Sequence, residues 1–252
     1  MAKFMNRVIG LIPARLNSTR LKKKVLLPLE KTPIIIHVYK RALKSKKIND
    51  VIICCDDYEI FKIAKKYNAR CLLTSKIHKN GTERIFEAYK KINKNYNLVV
   101  DIQGDEPLID PKHIDRVIDF HFKNIKTDIV VPNLRIKEKK NINIVKVVQN
   151  SKNDVVYLSR LDIPLNLKKS NDYLRKHLSI VSFRPNALKK FCQSQQTINE
   201  KKENIELLRA LDLKMKVKTL ELYGDSFSID VKEDYKKAQS YFKKDKISKT
   251  YL

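Results

Sequence analysis

Apolar runs and half-apolar segments alternate along the first half of the chain. Nearly continuous apolar runs predict buried strands at residues 7–13, 51–55, 70–73 and 97–102. Segments with apolar residues on one side predict amphipathic helices at residues 33–47, 58–67, 82–93 and 111–123. Thr82 is predicted to cap the third of these helices. The alternation predicts an α/β fold with a mostly parallel central sheet and helices on both faces.

The pattern changes after a further predicted strand at residues 128–132. Two apolar runs with few polar residues between them predict an antiparallel hairpin, at 143–149 and 155–159. Beyond the hairpin we predict helices at 186–193, 201–213 and 232–243, and strands within 174–184 and at 215–222 and 228–231. The helix at 201–213 would place Glu203, Glu206 and Arg209 near one face. Because no linker or repeat is present, we predict a single domain, 1–252, with an insertion at about 136–200 over the ligand edge of the sheet.

Basic residues outnumber acidic ones, with 54 Lys and Arg against 28 Asp and Glu and a formal net charge of +26. The lysines are spread along the whole chain and are not interleaved with aromatic residues, so we predict no nucleic-acid partner. A nucleic-acid binder is the alternative, and steep salt dependence would reveal it. No apolar run is long enough to span a membrane, and the N-terminus lacks a signal-peptide core, which together predict a cytoplasmic protein.

The strand at 97–102 ends abruptly in the sequence Gln-Gly-Asp-Glu-Pro. Gly104 permits a tight backbone path, and Pro107 stops further strand pairing. Asp105 and Glu106 therefore lie where a core strand meets solvent, which is the ligand edge of an open α/β sheet. Carboxylates at that edge are suited to hold Mg²⁺, which shares itself with substrate phosphates. A simple strand-end turn is the alternative interpretation.

The loop after the first strand, residues 14–24, is rich in hydrogen-bond donors. Arginine offers a rigid fork that matches phosphate oxygens, and lysine offers a mobile point charge. This position after the first strand of an α/β unit favours phosphate binding, although the loop matches neither common glycine-rich pattern. A solvated basic loop is the alternative.

Three motifs together resemble those of one enzyme family. They are LIPAR at 11–15 followed by STRL at 18–21 and Lys24, NGTER at 80–84, and VDIQGDEP at 100–107. On these motifs the chain resembles the 3-deoxy-manno-octulosonate cytidylyltransferases, also called CMP-Kdo synthetases, over about residues 7–235.

The resemblance implies a GT-A-like fold, a homodimer to which the insertion contributes, and Mg²⁺-dependent transfer of CMP from CTP to a 2-keto-3-deoxy sugar acid. This reaction would release pyrophosphate and serve lipopolysaccharide or capsule synthesis. By resemblance, Asp105 and Asp230 bind Mg²⁺, and the triphosphate is held by Arg15, Lys24 and, more weakly, Arg20. The residues near cytosine and ribose would be Ala14, Gly81 and Gln103. Those facing the sugar acid would be Arg160, His177 and Glu206.

The chain departs from the family pattern at a few positions. The family usually has Pro-Gly at Lys22-Lys23 and Gly at Lys31, so we expect the loop here to take a different path or carry strain. Near the sugar, Val181 and Leu207 stand where the family often has polar residues. Two alternatives follow: another acidic sugar such as 8-amino-Kdo or a nonulosonic acid, or a homologue that binds nucleotide without catalysis. For His177, a purely structural strand position is the alternative.

Overall fold

Strands and helices alternate through the first half of the chain in the computed structural model, which describes residues 6–18, 20–137, 140–165, 173–224 and 226–252. The strands are β1 Val8–Ala14, β2 Pro28–Leu29, β3 Thr32–Pro33, β4 Asp50–Cys55, β5 Cys71–Leu73, β6 Leu98–Ile102, β7 Ile129–Ile136, β8 Lys146–Gln149, β9 Val155–Ser159, β10 Leu174–His177, β11 Ile180–Phe183 and β12 Val217–Leu222. The helices are α1 Ile34–Ala42, α2 Tyr58–Lys66, α3 Gly81–Ile92, α4 Pro111–Lys123, α5 Pro185–Gln193, α6 Ile198–Glu203, α7 Leu208–Asp212 and α8 Lys232–Lys244. These elements group into a first unit, residues 1–116 with 226–252, and a second unit, residues 117–225.

The first unit is built on parallel strands in the order β5-β4-β1-β6. Ile9 of β1 lies opposite Asp50 of β4, and Val8 lies opposite Leu98 of β6. All seven residues of β1 and all five of β6 are buried, as expected for parallel strands covered on both faces. The predicted α/β fold with a mostly parallel sheet flanked by helices is confirmed.

Polar side chains begin two helices of the first unit. The Asp57 carboxylate accepts a hydrogen bond of 2.9 Å from the Glu59 N–H at the start of α2. The Asn80 side chain accepts one of 2.8 Å from the Glu83 N–H at the start of α3. The prediction that Thr82 caps this helix is wrong, because Asn80 has the extended backbone of a cap and Thr82 is buried inside the first turn.

The two lysines at the glycine positions of the family pattern, Lys23 and Lys31, hold the left-handed backbone conformation that usually favours glycine. Lys23 has φ 49° and Lys31 has φ 65°. Lys31 follows Glu30, with φ 44°, in the two-residue turn between β2 and β3, where positive φ at both positions favours Gly. The expected strain at the missing loop glycines therefore falls on these lysines.

The second unit contains mixed strands in the order β11-β7-β10-β8-β9, with β12 parallel to β7. Strands β10 and β11 both run antiparallel to β7, and β8 and β9 form the predicted antiparallel hairpin. The insertion predicted at about 136–200 lies within this unit. That residues 1–252 form a single domain stays a prediction. Among the described residues, no helix has both the length and the apolar character needed to cross a membrane.

The prediction of one helix at 201–213 is wrong. Helix α6 ends at Glu203 because Asn204 takes a left-handed conformation, with φ 52°, and α7 begins only at Leu208. Glu203, Glu206 and Arg209 therefore do not share the face of one helix. Arg209 instead pairs with Glu200 of α6 through two contacts of 2.5 and 2.7 Å, with both side chains almost fully buried.

The strand predicted at 228–231 is also wrong, since this segment is irregular. Its polar groups are bound individually rather than in a strand ladder. The Ile229 N–H donates to the Asp105 carbonyl at 3.0 Å, and the Asp230 N–H donates to the Asp234 carboxylate at 2.9 Å. These bonds, rather than sheet pairing, hold Asp230 beside the end of β6.

Candidate active site

A pocket of about 290 Å³ opens in the first unit at the carboxyl ends of β1 and β6. Its walls come from the loop after β1, the start of α3, the turn after β6 and the segment before α8. The lining includes Ala14, Arg15, Arg20, Lys24, Gly81, Gln103, Asp105 and Asp230. The structure thus brings together all the residues that the resemblance assigns to nucleotide and metal, and their roles stay predictions. Thr19 of the loop lies outside the described residues.

Three charged side chains from distant parts of the chain meet at the floor of this pocket. Lys24 Nζ donates to Asp105 Oδ2 at 2.6 Å and to Asp230 Oδ1 at 3.1 Å. The two carboxylate oxygens therefore lie no farther apart than the sum of those distances. The side chains are 12–25% exposed, so the cluster is shielded but reachable from solvent.

Positive charge surrounds the two aspartates. Arg20 Nη2 donates to Asp230 Oδ1 at 2.8 Å. Burial alone would lower the pKa of Lys24, but the charges of Asp105 and Asp230 and their hydrogen bonds outweigh it and raise the pKa above its usual value. Lys24 is therefore an ammonium ion at neutral pH.

Glu106 anchors the segment that carries Asp230. Its carboxylate is 1% exposed and accepts hydrogen bonds from Ser226 Oγ at 2.9 Å and Ser228 Oγ at 3.2 Å. The sequence predicts that Glu106, like Asp105, meets solvent as a carboxylate suited to Mg²⁺, and for Glu106 this prediction is wrong because its side chain is buried and bound by the two serines. The sequence feature that could have indicated the anchoring role is its position next to Asp105 at the end of a buried strand, because a buried acid needs hydrogen-bond partners from elsewhere in the fold.

A buried ion pair between Asp56 and Arg84 holds the cationic loop at residues 14–24 in place. Asp56, at the end of β4, accepts a hydrogen bond from the Leu16 N–H at 3.0 Å through Oδ1 and pairs with Arg84 at 3.2 Å through Oδ2. Arg84 is 4% exposed and also donates to Thr74 Oγ1 at 2.8 Å. The arginine of the NGTER motif therefore positions the loop that bears Arg15, a role that the sequence did not indicate.

Close backbone approach explains two glycines of the motifs. A Cβ at Gly104 would lie 2.7 Å from the Pro13 carbonyl oxygen, which is too close for any side chain. A Cβ at Gly81 would lie 3.2 Å from the Pro13 ring and 3.3 Å from Gln103 Nε2. Gln103 itself donates to both oxygens of Asp101, at 3.0 and 3.1 Å, which sets the direction of its amide.

The donor set at the pocket floor fits a Mg²⁺ ion that is shared with a ligand. Within the described ranges, no group of three or more His, Cys, Asp or Glu side chains could hold a metal ion. Mg²⁺ commonly uses one or two carboxylates and takes its remaining ligands from phosphates and water. Asp105 and Asp230 supply that pair of carboxylates.

The residues assigned to the sugar acid, Arg160, His177 and Glu206, lie in the second unit and are not among those that line the pocket of the first unit. The Arg160 guanidinium donates to three backbone carbonyls, those of Ile142, Glu203 and Asn204, each at 3.0 Å. Arg160 is thereby tied to the turn just before Glu206. His177 lies elsewhere, on β10, opposite Asn133 of β7.

The His177 side chain is half-buried at the end of β10. Its Nε2 has no hydrogen-bond partner among the residues that the structure describes. Burial, with a contribution from the charge of Lys176, lowers the pKa of His177 to about 4. The ring is therefore neutral at pH 7 and keeps one nitrogen available for a ligand or a water molecule.

Comparison with known proteins places these features in a family. Residues 9–221 match the family described as cytidylyltransferase. The 3-deoxy-manno-octulosonate cytidylyltransferase of Thermodesulfovibrio yellowstonii is 38% identical, over 92% of this chain and 96% of that protein. The mitochondrial 3-deoxy-manno-octulosonate cytidylyltransferase of Arabidopsis thaliana is 32% identical, over 98% of this chain and 87% of that protein.

A solved structure agrees with this. The structure of a CMP:2-keto-3-deoxy-manno-octonic acid synthetase complexed with CTP superimposes with a TM-score of 0.89. The two chains are 26% identical, and the match covers 94% of this chain and 99% of the other. At this coverage the match includes residues of both units.

Proposed function

The chain belongs to the 3-deoxy-manno-octulosonate cytidylyltransferase family, and from this premise we propose that it transfers CMP from CTP to 3-deoxy-D-manno-octulosonate (Kdo). The product would be CMP-Kdo, with release of pyrophosphate. The observation that carries the proposal is the meeting of Asp105, Asp230 and Lys24 at the floor of a pocket walled by the cationic loop. A triphosphate needs that combination of carboxylates for a metal ion and cations for its own oxygens.

The reaction we propose is an in-line attack. The anomeric hydroxyl oxygen of Kdo forms a bond to the α-phosphorus of CTP and loses its proton to solvent water, the bond from that phosphorus to the bridging oxygen breaks, and pyrophosphate leaves. Arg15, Arg20 and Lys24 would hold the triphosphate and offset the charge on the leaving pyrophosphate. Mg²⁺ held by Asp105 and Asp230 would supply further charge neutralisation and polarise the attacking hydroxyl.

The remaining residues of the pocket would position the nucleoside. Ala14 is buried, so its contribution would come from the backbone, and Gly81 lets the start of α3 lie close to Pro13 and Gln103. In the second unit, Arg160, His177 and Glu206 would contact the sugar acid, as the resemblance implies. The neutral His177 ring with its unused nitrogen supports a hydrogen bond to a sugar hydroxyl.

Two further properties follow from the resemblance and form part of the proposal. We expect a homodimer, which light scattering of the purified protein would detect as twice the chain mass. We also expect the protein to act in the cytoplasm, where CTP is available, in lipopolysaccharide or capsule synthesis.

A different acidic sugar is the second candidate acceptor. Val181 and Leu207 are 5% and 4% exposed, so apolar side chains fill positions where the family often has polar ones. This composition would recognise fewer hydroxyl groups, which favours testing 8-amino-Kdo and a nonulosonic acid beside Kdo.

The experiment is pyrophosphate release with Mg²⁺, each acceptor in turn, and either CTP or UTP. We expect release with CTP and Kdo, much less with UTP, and none when the acceptor is left out. Release with a nonulosonic acid but not with Kdo would replace the acceptor in the proposal. CTP binding by calorimetry without turnover on any acceptor would indicate a homologue that binds nucleotide only.

A further inference from the structure

The Lys24 ammonium occupies the place where a cation shared by Asp105 and Asp230 would have to lie. It contacts one oxygen of each carboxylate, at 2.6 and 3.1 Å, and its side chain is only 12% exposed. Mg²⁺ binds carboxylate oxygens at about 2.0–2.1 Å and would compete for the same oxygens. The lysine and a divalent ion therefore cannot both hold them.

The local backbone delivers Lys24, rather than its neighbour, to this point. Lys24 begins a 3-10 helix, Lys24–Leu26, and follows Lys23 in its left-handed conformation. The Lys23 ammonium pairs instead with the two oxygens of Glu59, at 2.7 and 2.8 Å. Adjacent lysines thus have separate acidic partners, which provides a matched pair for mutagenesis.

The charges around the aspartates are already balanced without a metal ion. Lys24 neutralises part of both carboxylates, and Arg20 adds a second contact to Asp230 at 2.8 Å. A divalent ion approaching this cluster would meet two cations at close range and a pair of oxygens already engaged. These two cations therefore disfavour the binding of a free divalent ion at Asp105 and Asp230.

We propose that Lys24 is a resident counter-ion, which holds Asp105 and Asp230 together and excludes a free divalent ion until nucleotide binds. The inference rests on the proposed function, because triphosphate oxygens are what would draw the ammonium away from the aspartates. The flexible lysine stem permits this exchange of partners. The divalent ion would then enter together with the nucleotide rather than before it.

The test is a titration with Mn²⁺, followed by electron paramagnetic resonance, in the absence of nucleotide and sugar. We expect Lys24→Met and Lys24→Gln to bind Mn²⁺ about tenfold or more tightly than the wild type, because one competing cation is removed. The control Lys23→Met loses the same charge from the adjacent residue and should bind Mn²⁺ as the wild type does. Thermal melts followed by circular dichroism establish which variants are folded.

Two outcomes would overturn the inference. One is folded Lys24 variants that bind Mn²⁺ no more tightly than the wild type. The other is Mn²⁺ binding by the nucleotide-free wild type that Asp105→Asn abolishes, and this measurement decides the matter even if the lysine variants do not fold. Neither measurement includes CTP or Kdo, so failure here leaves the proposed transfer reaction to its own pyrophosphate assay.

Discussion

The two units place charged side chains in contrasting surroundings. In the first unit, Lys24, Asp105 and Asp230 form a partly exposed cluster that lines a pocket. In the second unit, Glu200 and Arg209 form a pair whose side chains are 4% and 1% exposed. The first arrangement can exchange partners with a ligand, whereas the second is closed to ligands.

The energetic consequence differs in the same way. Breaking a closed, buried ion pair leaves a charge without solvent or partner, which costs far more than loosening a partly solvated contact. We therefore expect substitutions in the pocket cluster to affect turnover and those in the buried pair to affect folding.

Replacing either pocket aspartate should have the largest effect. Asp105→Asn and Asp230→Asn should each lower kcat by about 100-fold or more, because the charge that would hold the metal ion is lost. Steady-state pyrophosphate release with CTP and Kdo measures this. The control Glu59→Gln removes an acid that pairs with the exposed Lys23 and does not line the pocket, and it should retain near wild-type kcat. Wild-type turnover in either aspartate variant would show that the pocket floor is not the reaction centre.

The buried pair of the second unit should matter for stability instead. Glu200→Gln should lower the free energy of unfolding by about 3–5 kcal/mol, because Arg209 would remain charged and buried without the opposite charge of Glu200. Urea denaturation at neutral pH measures it, with the exposed Lys201→Gln on the same helix as the control. A change below about 1 kcal/mol would mean that the pair is not closed to solvent.

Replacing Glu106 should lower turnover by a smaller factor, because Glu106 acts by positioning Asp230. Glu106→Gln weakens the bonds to Ser226 and Ser228, so Asp230 should be held less firmly beside Asp105. We expect kcat to fall about tenfold and the Mg²⁺ concentration needed for half-maximal rate to rise, with little change in KM for Kdo. A purely structural role would lower the melting temperature without moving the Mg²⁺ requirement.

Relieving the strained turn between β2 and β3 should give the smallest change, and it should stabilise the fold rather than destabilise it. Lys31→Gly should raise the free energy of unfolding by up to about 1 kcal/mol, because glycine accepts positive φ without the penalty that lysine bears. Urea denaturation measures it, and Lys46→Gly, at an exposed position where positive φ is not required, serves as control. Destabilisation by Lys31→Gly would show that the lysine side chain contributes more than its backbone costs.

The parts of the site that the sequence predicts are those encoded locally. The apolar run before Gln103 indicates a buried strand, and a strand end in an α/β pattern indicates where Asp105 should lie. The resemblance added the distant Asp230, which no local pattern connects to Asp105. The structure brings the two together through a third residue, Lys24.

Contacts with partners elsewhere in the chain, local capping bonds and one left-handed residue decided the features that the sequence did not predict. The segment at 228–231 alternates like a strand, but its backbone bonds to Asp105 and Asp234 instead. Helix formers surround Asn204, and only its tolerance of left-handed backbone pointed to the break between α6 and α7. The roles of Glu106 and Arg84 depend on partners that are remote in sequence or carry no motif of their own.

We propose that Asp105 and Asp230 act as one unit at the reaction centre. The measurement is kcat for Asp105→Asn, Asp230→Asn and the double variant under saturating CTP, Kdo and Mg²⁺. If the two carboxylates share one ion, the double variant should be about as slow as the slower single variant, because the first substitution already removes the shared function. Losses that multiply in the double variant would contradict the account, since they would mean that the two carboxylates act independently.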